Sequence, residues 1–330
     1  MSFRIGWIGC GRHATQMLLP QLGRHDVQLA AVCDRDPAAA GRVAATYGVG
    51  AAYGDWRALL AHPGLDGVFM AVGPELHGEA GIAALGRGLP VFMEKPPAAN
   101  RAGAEAVAAA AERAGKPVVV GFMKRYATGN RIARTVIADP AFGPVLGVVG
   151  TYMTAPTYFA GAVDYNGFFL HHCVHYMDLM PWLAMSPIVE MSVRKAEPAP
   201  GRLLLHVGFA CASGAIGTMV MGTIQSRGTP MEFVQVMGDH RRVEIDNVIN
   251  VAYYRDPPFK ADRADATLDP AADTLSWTPN FTAAANEDHK GYSALIAAAV
   301  AAMKGEPSDA PTIADGVAAM ANLERMVAQV

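Results

Sequence analysis

A chain of 330 residues is long for a single hydrophobic core, so two domains are expected. Hydrophobic residues make up 52% and charged residues 17%, a balance that excludes a disordered or polyelectrolyte protein. The formal net charge of -3, with no run of Lys or Arg to follow a phosphate backbone, argues against a nucleic-acid partner.

The opening MSFRIGWIGCG has no apolar stretch followed by a small-residue cleavage site, so it reads as a first strand and not as an export signal. The most membrane-like segment, 203–224, contains His206, Ser213 and four glycines. Ala-Ser-Gly at 212–214 splits it into a hairpin of two strands, and no membrane partner is expected. Cys10, Cys33, Cys173 and Cys211 are widely spaced without a CxxC, which reads as reduced thiols in a cytoplasmic protein.

Up to residue 122, short Val/Ile/Ala-rich runs at 3–9, 27–33, 66–72, 89–94 and 116–122 alternate with Ala-rich helical patterns. That alternation predicts βαβ units around a doubly wound parallel sheet, and residues 1–122 are read as a Rossmann domain. Asp36-Pro37 and Gly48 bound one helix, and Asn100 and Gly115 bound another, through an N-cap, an N1 proline and C-terminal glycines. From residue 123 the pattern changes. Strand-like runs at 145–153, 188–195, 203–211, 215–225, 232–237, 241–246 and 248–254 predict a large antiparallel sheet, so 123–330 is read as an α+β substrate-binding and oligomerisation domain. A Pro/Asp/Ala-rich loop at 256–280 and helices near 287–304 and 312–329 complete it.

Gly9-Cys10-Gly11-Arg12-His13-Ala14 fits G-x-G-x-x-A between the first strand and a helix, and Asp34 ends the second strand. The first glycine permits a tight turn, the second lets a pyrophosphate approach the backbone, and Ala14 lets helix and strand pack closely. The coincidence of strand, glycines, helix, second strand and acid points to a dinucleotide. Asp34 would accept from the adenosine ribose hydroxyls and repel a 2'-phosphate, which favours NAD. Arg35 keeps NADP as the alternative, since a guanidinium there pairs with a 2'-phosphate or stacks on adenine.

GCGRHA, the acid after the second strand, GPELH (73–77), EKP (94–96), GFMKRY (121–126) and HYMD (175–178) occur in an order that resembles the Gfo/Idh/MocA oxidoreductases. The resemblance implies a Rossmann domain, a mostly antiparallel second domain with the active site between them, and a homodimer or homotetramer formed through the large sheet. It also implies NAD- or NADP-dependent oxidation or reduction of one carbinol of a sugar or polyol. Gly73, Pro74, Glu94, Lys95 and Lys124-Arg125 would emerge at the carboxyl ends of the strands, where ligands of such sheets bind. Lys95 is the candidate cation for a developing alkoxide; the alternative is a surface lysine beside a turn proline. His77 matches a family position near the cofactor, or caps its helix. Arg125 and Tyr126 are candidates to line the site, though an aromatic here also suits packing.

In FFLHHCVHYMDLMPWL (168–183) the family's usual Asp-x-Gly-x-His-x-x-Asp has His171 in place of the first aspartate and Cys173 in place of glycine. On an ideal helix His171, His175 and Asp178 share a face. Three readings compete: His175 as general acid/base assisted by His171, a zinc site of His171, His175 and Asp178, or histidines satisfied within a packing helix. No metal is assigned, and His172 is the weakest candidate. Tyr152, Tyr158 and Tyr165 flank the loop 154–167, read as a substrate lid. Tyr292, with Asn286 and His289, either approaches the substrate or packs beneath the sheet. Besides the dehydrogenase, two other readings stand: an NAD-retaining enzyme that cleaves, eliminates or epimerises through transient oxidation, and a catalytically silent NAD-binding regulator.

Overall fold

The computed structural model describes residues 2–159, 161–226, 231–255, 274–278 and 289–330. The chain divides into two compact units, Met1–Met123 with Gly291–Glu324, and Lys124–Lys290 with Arg325–Val330. Both expected architectures are present, a parallel Rossmann sheet and a mostly antiparallel second sheet.

The first unit carries β1 (Phe3–Ile8), β2 (Val27–Cys33), β3 (Ala52–Tyr53), β4 (Gly67–Met70), β5 (Val91–Met93) and β6 (Val118–Val120). They form one parallel sheet in the order β3-β2-β1-β4-β5-β6. The order reverses direction between β1 and β4, so a crevice opens at the carboxyl ends of those two strands. All five expected strands are found, β2 over its full span and the others trimmed at their ends; two-residue β3 is too short to show a pattern. Trp7, Phe69 and Phe92 stack across β1, β4 and β5 at centroid separations of 5.8 and 4.8 Å. Residues 14–24 follow β1 as a wide turn, Ala14–Leu18, and a tight one, Leu19–Arg24, where Pro20 removes a backbone donor. Four helices follow: α1 (Pro37–Tyr47), α2 (Trp56–Leu60), α3 (Pro74–Gly86) and α4 (Arg101–Ala114). The caps are those expected. Asp36 accepts from the Ala38 N–H, Asn100 accepts from the Gly103 N–H, and Gly48 and Gly115 end their helices at φ +65° and +59°.

The second unit contains α5 (Thr128–Ala138), β7 (Gly147–Met153), α6 (Tyr165–Phe168), α7 (Val174–Ala184), β8 (Ile188–Ala196), β9 (Leu204–Cys211), β10 (Ile216–Gly222), β11 (Met231–Gly238), β12 (Arg241–Asp246), β13 (Asn250–Tyr254) and β14 (Leu275–Trp277). The sheet runs β14-β13-β12-β11-β7-β10-β9-β8 and is antiparallel except where β7 meets β10. Period-two burial on its inner face is clear: Leu205, Val207 and Phe209, then Met219 and Met221, Val234 and Val236, Val243 and Ile245 are all buried. Gly150 lets α7 lie close on β7, since a Cβ there would stand 2.7 Å from Met180 Sδ and from the Tyr176 ring. Segment 203–224 is the β9–β10 hairpin, turning at Gly214 with φ +90°. Among the described residues no helix is long and apolar enough to cross a membrane. Most of the loop expected at 256–280 lies outside the described residues, as do 287–288; residues 275–277 pair as β14, which the composition of that loop did not suggest.

The last helices, α8 (Tyr292–Lys304) and α9 (Ile313–Val327), follow. Gly291–Glu324, read from sequence as part of the second domain, clusters with the first unit. The physical reason is the β6 edge: the Val120 N–H donates to Pro311 O at 2.9 Å and Val119 bridges Thr312, covering an edge strand. Met303 packs at Gly67 and Phe3, and Ser293 Oγ lies 3.2 Å from His25 Nε2.

Candidate active site

In the first unit the turn after β1 is shaped by contacts that only particular residues permit. Gly9 has φ +98°, and a Cβ there would lie 2.2 Å from the Ala71 carbonyl oxygen beyond β4. Trp7 Nε1–H donates to Gly9 O at 2.7 Å, holding the strand end in place. At Gly11 a Cβ would meet nothing within 4 Å, so the turn's outer side is open to a ligand. Asp34 ties the turn to the second strand: Oδ2 accepts from the Cys10 N–H at 2.7 Å and Oδ1 from the Asp36 N–H at 2.9 Å. Each oxygen retains a second lone pair for a ribose hydroxyl. The Cys10 thiol is buried and pushed up to about 12, first by burial and then by Asp34; Cys10 therefore serves through its backbone.

Two cavities flank this turn. One of about 430 Å³ is lined by Gly9, Gly11, Asp34, Trp56, Ala71 and Gly73 among others; the other, about 570 Å³, by Arg12, Thr15, Asp34, Arg35 and Arg42 among others. Gly73, extended at φ -69° and ψ 156°, precedes Pro74 at the start of α3. The set fits a dinucleotide: a side-chain-free turn at a helix start, an acid at the ribose position, and cavities on both sides.

Glu94 is 4% exposed, and Gly121 is the glycine that makes room for it, since a Cβ there would lie 2.7 Å from Oε1. Oε2 accepts from the Lys95 N–H at 3.3 Å and faces His13 Nε2 at 3.7 Å, while Oε1 has no hydrogen-bond partner among the described residues. An orphaned buried carboxylate oxygen beside the turn is what a cofactor site would leave for its ligand. Tyr292 is buried, and its ring meets His13 edge-on at 5.7 Å. Lys95 is half-buried and precedes a cis proline.

His77 is fully buried and staples this wall together. Its Nε2 accepts from the Val72 N–H at 3.2 Å, so Nδ1 carries the proton and donates to Pro96 O at 2.9 Å. Burial pushes its pKa down to about 4. Beside the two expectations for His77, cofactor neighbour or helix cap, the geometry gives it a structural role: it joins the backbone after β4 to the backbone after β5.

In the second unit Arg125 grips Asp178 through Nε and Nη2 at 2.9 and 2.5 Å, and Asp178 is 3% exposed. That engagement removes Asp178 from the zinc reading and holds Arg125 against α7. Tyr126 is buried, with the Arg131 guanidinium 5.7 Å over its ring. The shared face expected for His171, His175 and Asp178 is interrupted, with His171 exposed and His175 and Asp178 buried. Phe169–Cys173 is a wide turn, which shifts His171 off the i, i+4 row. His171 is exposed and 3.4 Å from the Tyr158 hydroxyl, whereas His172 Nδ1 is 3.0 Å from the Tyr152 hydroxyl and His175 is 6% exposed. The loop 154–167 carries Tyr158, whose ring meets His172 edge-on at 4.5 Å. His289 O accepts from the Thr128 N–H at 3.1 Å, and Asn286 lies outside the described residues.

Sequence reasoning placed Lys124 among the strand-end residues but did not connect it with Glu232. Lys124 is 3% exposed, 2.5 Å from Glu232, and its Nζ stands 4.6 Å over the Tyr152 ring. A lysine within GFMKRY carried the signal, but its partner is 108 residues away and invisible to local spacing.

These features define a dinucleotide-binding α/β unit joined to an α+β unit with a histidine-rich helix. Residues 3–122 match the sequence model described as an oxidoreductase family with an NAD-binding Rossmann fold, Gfo/Idh/MocA. That match places residues 3–122, the part of the chain that forms the parallel sheet, with the NAD-binding domains of the Gfo/Idh/MocA oxidoreductases. A D-xylose 1-dehydrogenase (NADP(+)) of Haloferax volcanii is 32% identical over 147 residues, covering 44% of this chain and 45% of that protein. An inositol 2-dehydrogenase of Pseudomonas fluorescens is 26% identical over 340 residues, covering 98% and 94%. The match to the xylose enzyme thus spans about half of that relative's length. A dehydrogenase from Chromobacterium violaceum shares the fold over 99% of this chain and 94% of its own, with TM-score 0.86 and 23% identity. The WlbA dehydrogenase of the same organism, determined with NADH and UDP-GlcNAcA, aligns over 99% and 93% with TM-score 0.78 and 20% identity.

Gly9→Ala is expected to abolish NAD binding by isothermal titration and to lower stability by about 2 kcal/mol or more, from the left-handed backbone and the Ala71 clash together. His77 predicts a pH effect on stability. Unfolded, its imidazole titrates at 6.5, and folded at about 4, so the unfolded chain takes up the proton first and stability falls as pH drops from 6.5 to 4. The loss approaches about 3 kcal/mol. Thermal melts across that window should show a shallower slope in His77→Gln, and an identical slope would contradict the staple.

Proposed function

We propose that the protein is an NAD(P)-dependent oxidoreductase acting on a secondary alcohol, or the matching ketone, of a sugar, polyol or related cyclic compound. The observation that carries this is the turn in which Gly9 meets the Ala71 carbonyl, Gly11 stays open and Asp34 anchors the Cys10 N–H. Relatives named as inositol and D-xylose dehydrogenases support the substrate class. Bound nicotinamide supplies the hydride acceptor or donor. Lys95 supplies positive charge to the developing alkoxide, and the His175 imidazole takes or returns the hydroxyl proton. Gly9, Cys10, Gly11, Arg12 and His13 present backbone and side chain to the pyrophosphate, with Gly73, Pro74 and Glu94 opposite. Asp34 prefers the unmodified ribose of NAD, and Arg35 in the Arg12–Arg42 cavity admits NADP at lower affinity.

The outer face of the second sheet supports a homodimer or homotetramer. Ile216 is 66% exposed, and Val220, Thr151 and Phe233 lie in one cross-strand row of half-buried side chains. Such a row on one sheet face suits a second copy of the chain.

Absorbance at 340 nm across a panel including myo-inositol and D-xylose tests the reaction. NAD-linked turnover is expected, falling by about 100-fold or more in Lys95→Ala while NAD affinity changes little. Full turnover in that variant would overturn the role of Lys95. Analytical ultracentrifugation tests the assembly: a dimer or tetramer is expected for the wild-type chain and a monomer for Val220→Lys, and a wild-type monomer would contradict it.

A further inference from the structure

The polar cluster beneath α7 exceeds what folding needs. Lys124 and Glu232 form a buried ion pair, and such pairs are replaceable by apolar residues without loss of stability. Glu232 and Tyr152 are directly opposed on β11 and β7, and Lys124 reaches both, one through its charge and the other over the ring face. Tyr176 stacks on Tyr152 at 5.1 Å and 10°, and its own hydroxyl donates to Thr151 O. A phenylalanine at 152 would keep this packing. What the phenol adds is its bond to His172 Nδ1 at 3.0 Å, while the same ring stands edge-on to His175 at 6.3 Å. Tyr152 is thus a neighbour of both His172 and His175, whereas exposed His171 shares Tyr158 with His172.

A phenol is the better donor and an imidazole nitrogen the better acceptor, so the Tyr152 O–H donates to Nδ1 and the His172 proton resides on Nε2. Lys124 and Glu232, gripping ring and strand, fix the direction of that bond. We propose that Tyr152 is a positioning residue that holds His172 as the Nε2–H tautomer beside His175, making His172 the histidine that substitutes for the family's missing aspartate. This rests on the hydride-transfer reading. The carbinol proton passes to His175, and His172 donates a hydrogen bond to a substrate oxygen without losing its proton.

Nitrogen-15 spectra of the imidazoles, with His172 assigned through His172→Phe, read the tautomer directly. The wild-type signal is expected to be wholly Nε2–H and to become a mixture in Tyr152→Phe, with unchanged melting temperature and NAD affinity. With the best substrate of the myo-inositol and D-xylose panel, kcat/KM should fall about tenfold in Tyr152→Phe, and the double variant with His172→Phe should lose little more than His172→Phe alone. An unchanged tautomer, additive losses, or turnover within twofold of wild type in Tyr152→Phe would overturn the positioning role. No NAD-linked turnover in the wild-type protein would instead overturn the hydride-transfer reading, and the role with it.

Discussion

A Cβ on residue 9 would stand 2.2 Å from a backbone carbonyl, and that close approach sets the geometry of the first unit's crevice. It brings the end of β1 against the segment after β4, at the point where strand order reverses and ligands of open α/β sheets bind. Three further contacts hold the strand ends around it. Trp7 holds the Gly9 carbonyl, Asp34 collects the N–H groups of Cys10 and Asp36, and His77 joins Val72 to Pro96. Each is a polar group fixing backbone, so the crevice is formed before any ligand arrives, and binding need not spend free energy on ordering it.

Charge placement in the crevice follows the same logic. Asp34 is held by two backbone donors and so remains oriented, while Arg12, Arg35 and Arg42 line the neighbouring cavity. Glu94 is buried behind Lys95 in a space that exists because residue 121 is glycine. His77 stays neutral because burial outweighs the pull of Glu94 and of its own hydrogen bonds. A charged imidazole there would lose its acceptor at Nε2 and release Val72.

Much of the first unit was legible because its signals are local. The caps at Asp36 and Asn100, the glycine stops and the five strand runs each depend on residues a few positions apart, and the glycine turn depends on one strand–helix junction. The return of 291–324 to this unit was not legible, since it rests on an edge pairing between β6 and residues 311–312. In the second unit the strands were readable from alternation, but their order is not. In FFLHHCVHYMDLMPWL the i, i+4 spacing presumes an ideal helix, whereas Phe169–Cys173 is a wide turn. Lys124–Glu232 and Arg125–Asp178 pair residues 108 and 53 positions apart, which a single sequence cannot connect.

Polar burial is distributed differently in the two units. In the first, His77 serves the backbone; in the second, Asn130 and Thr223 do the same, and ion pairs and ring contacts around Tyr152 add a network of side chains that serve one another. Networks of this second kind specify side-chain orientation more than they add stability.

Hydrogen–deuterium exchange with and without saturating NAD tests the central claim most directly. The account predicts protection concentrated at residues 9–14, 34–36, 71–77 and 94–96. Unchanged exchange there, with NAD bound or protection confined to other segments, would contradict it.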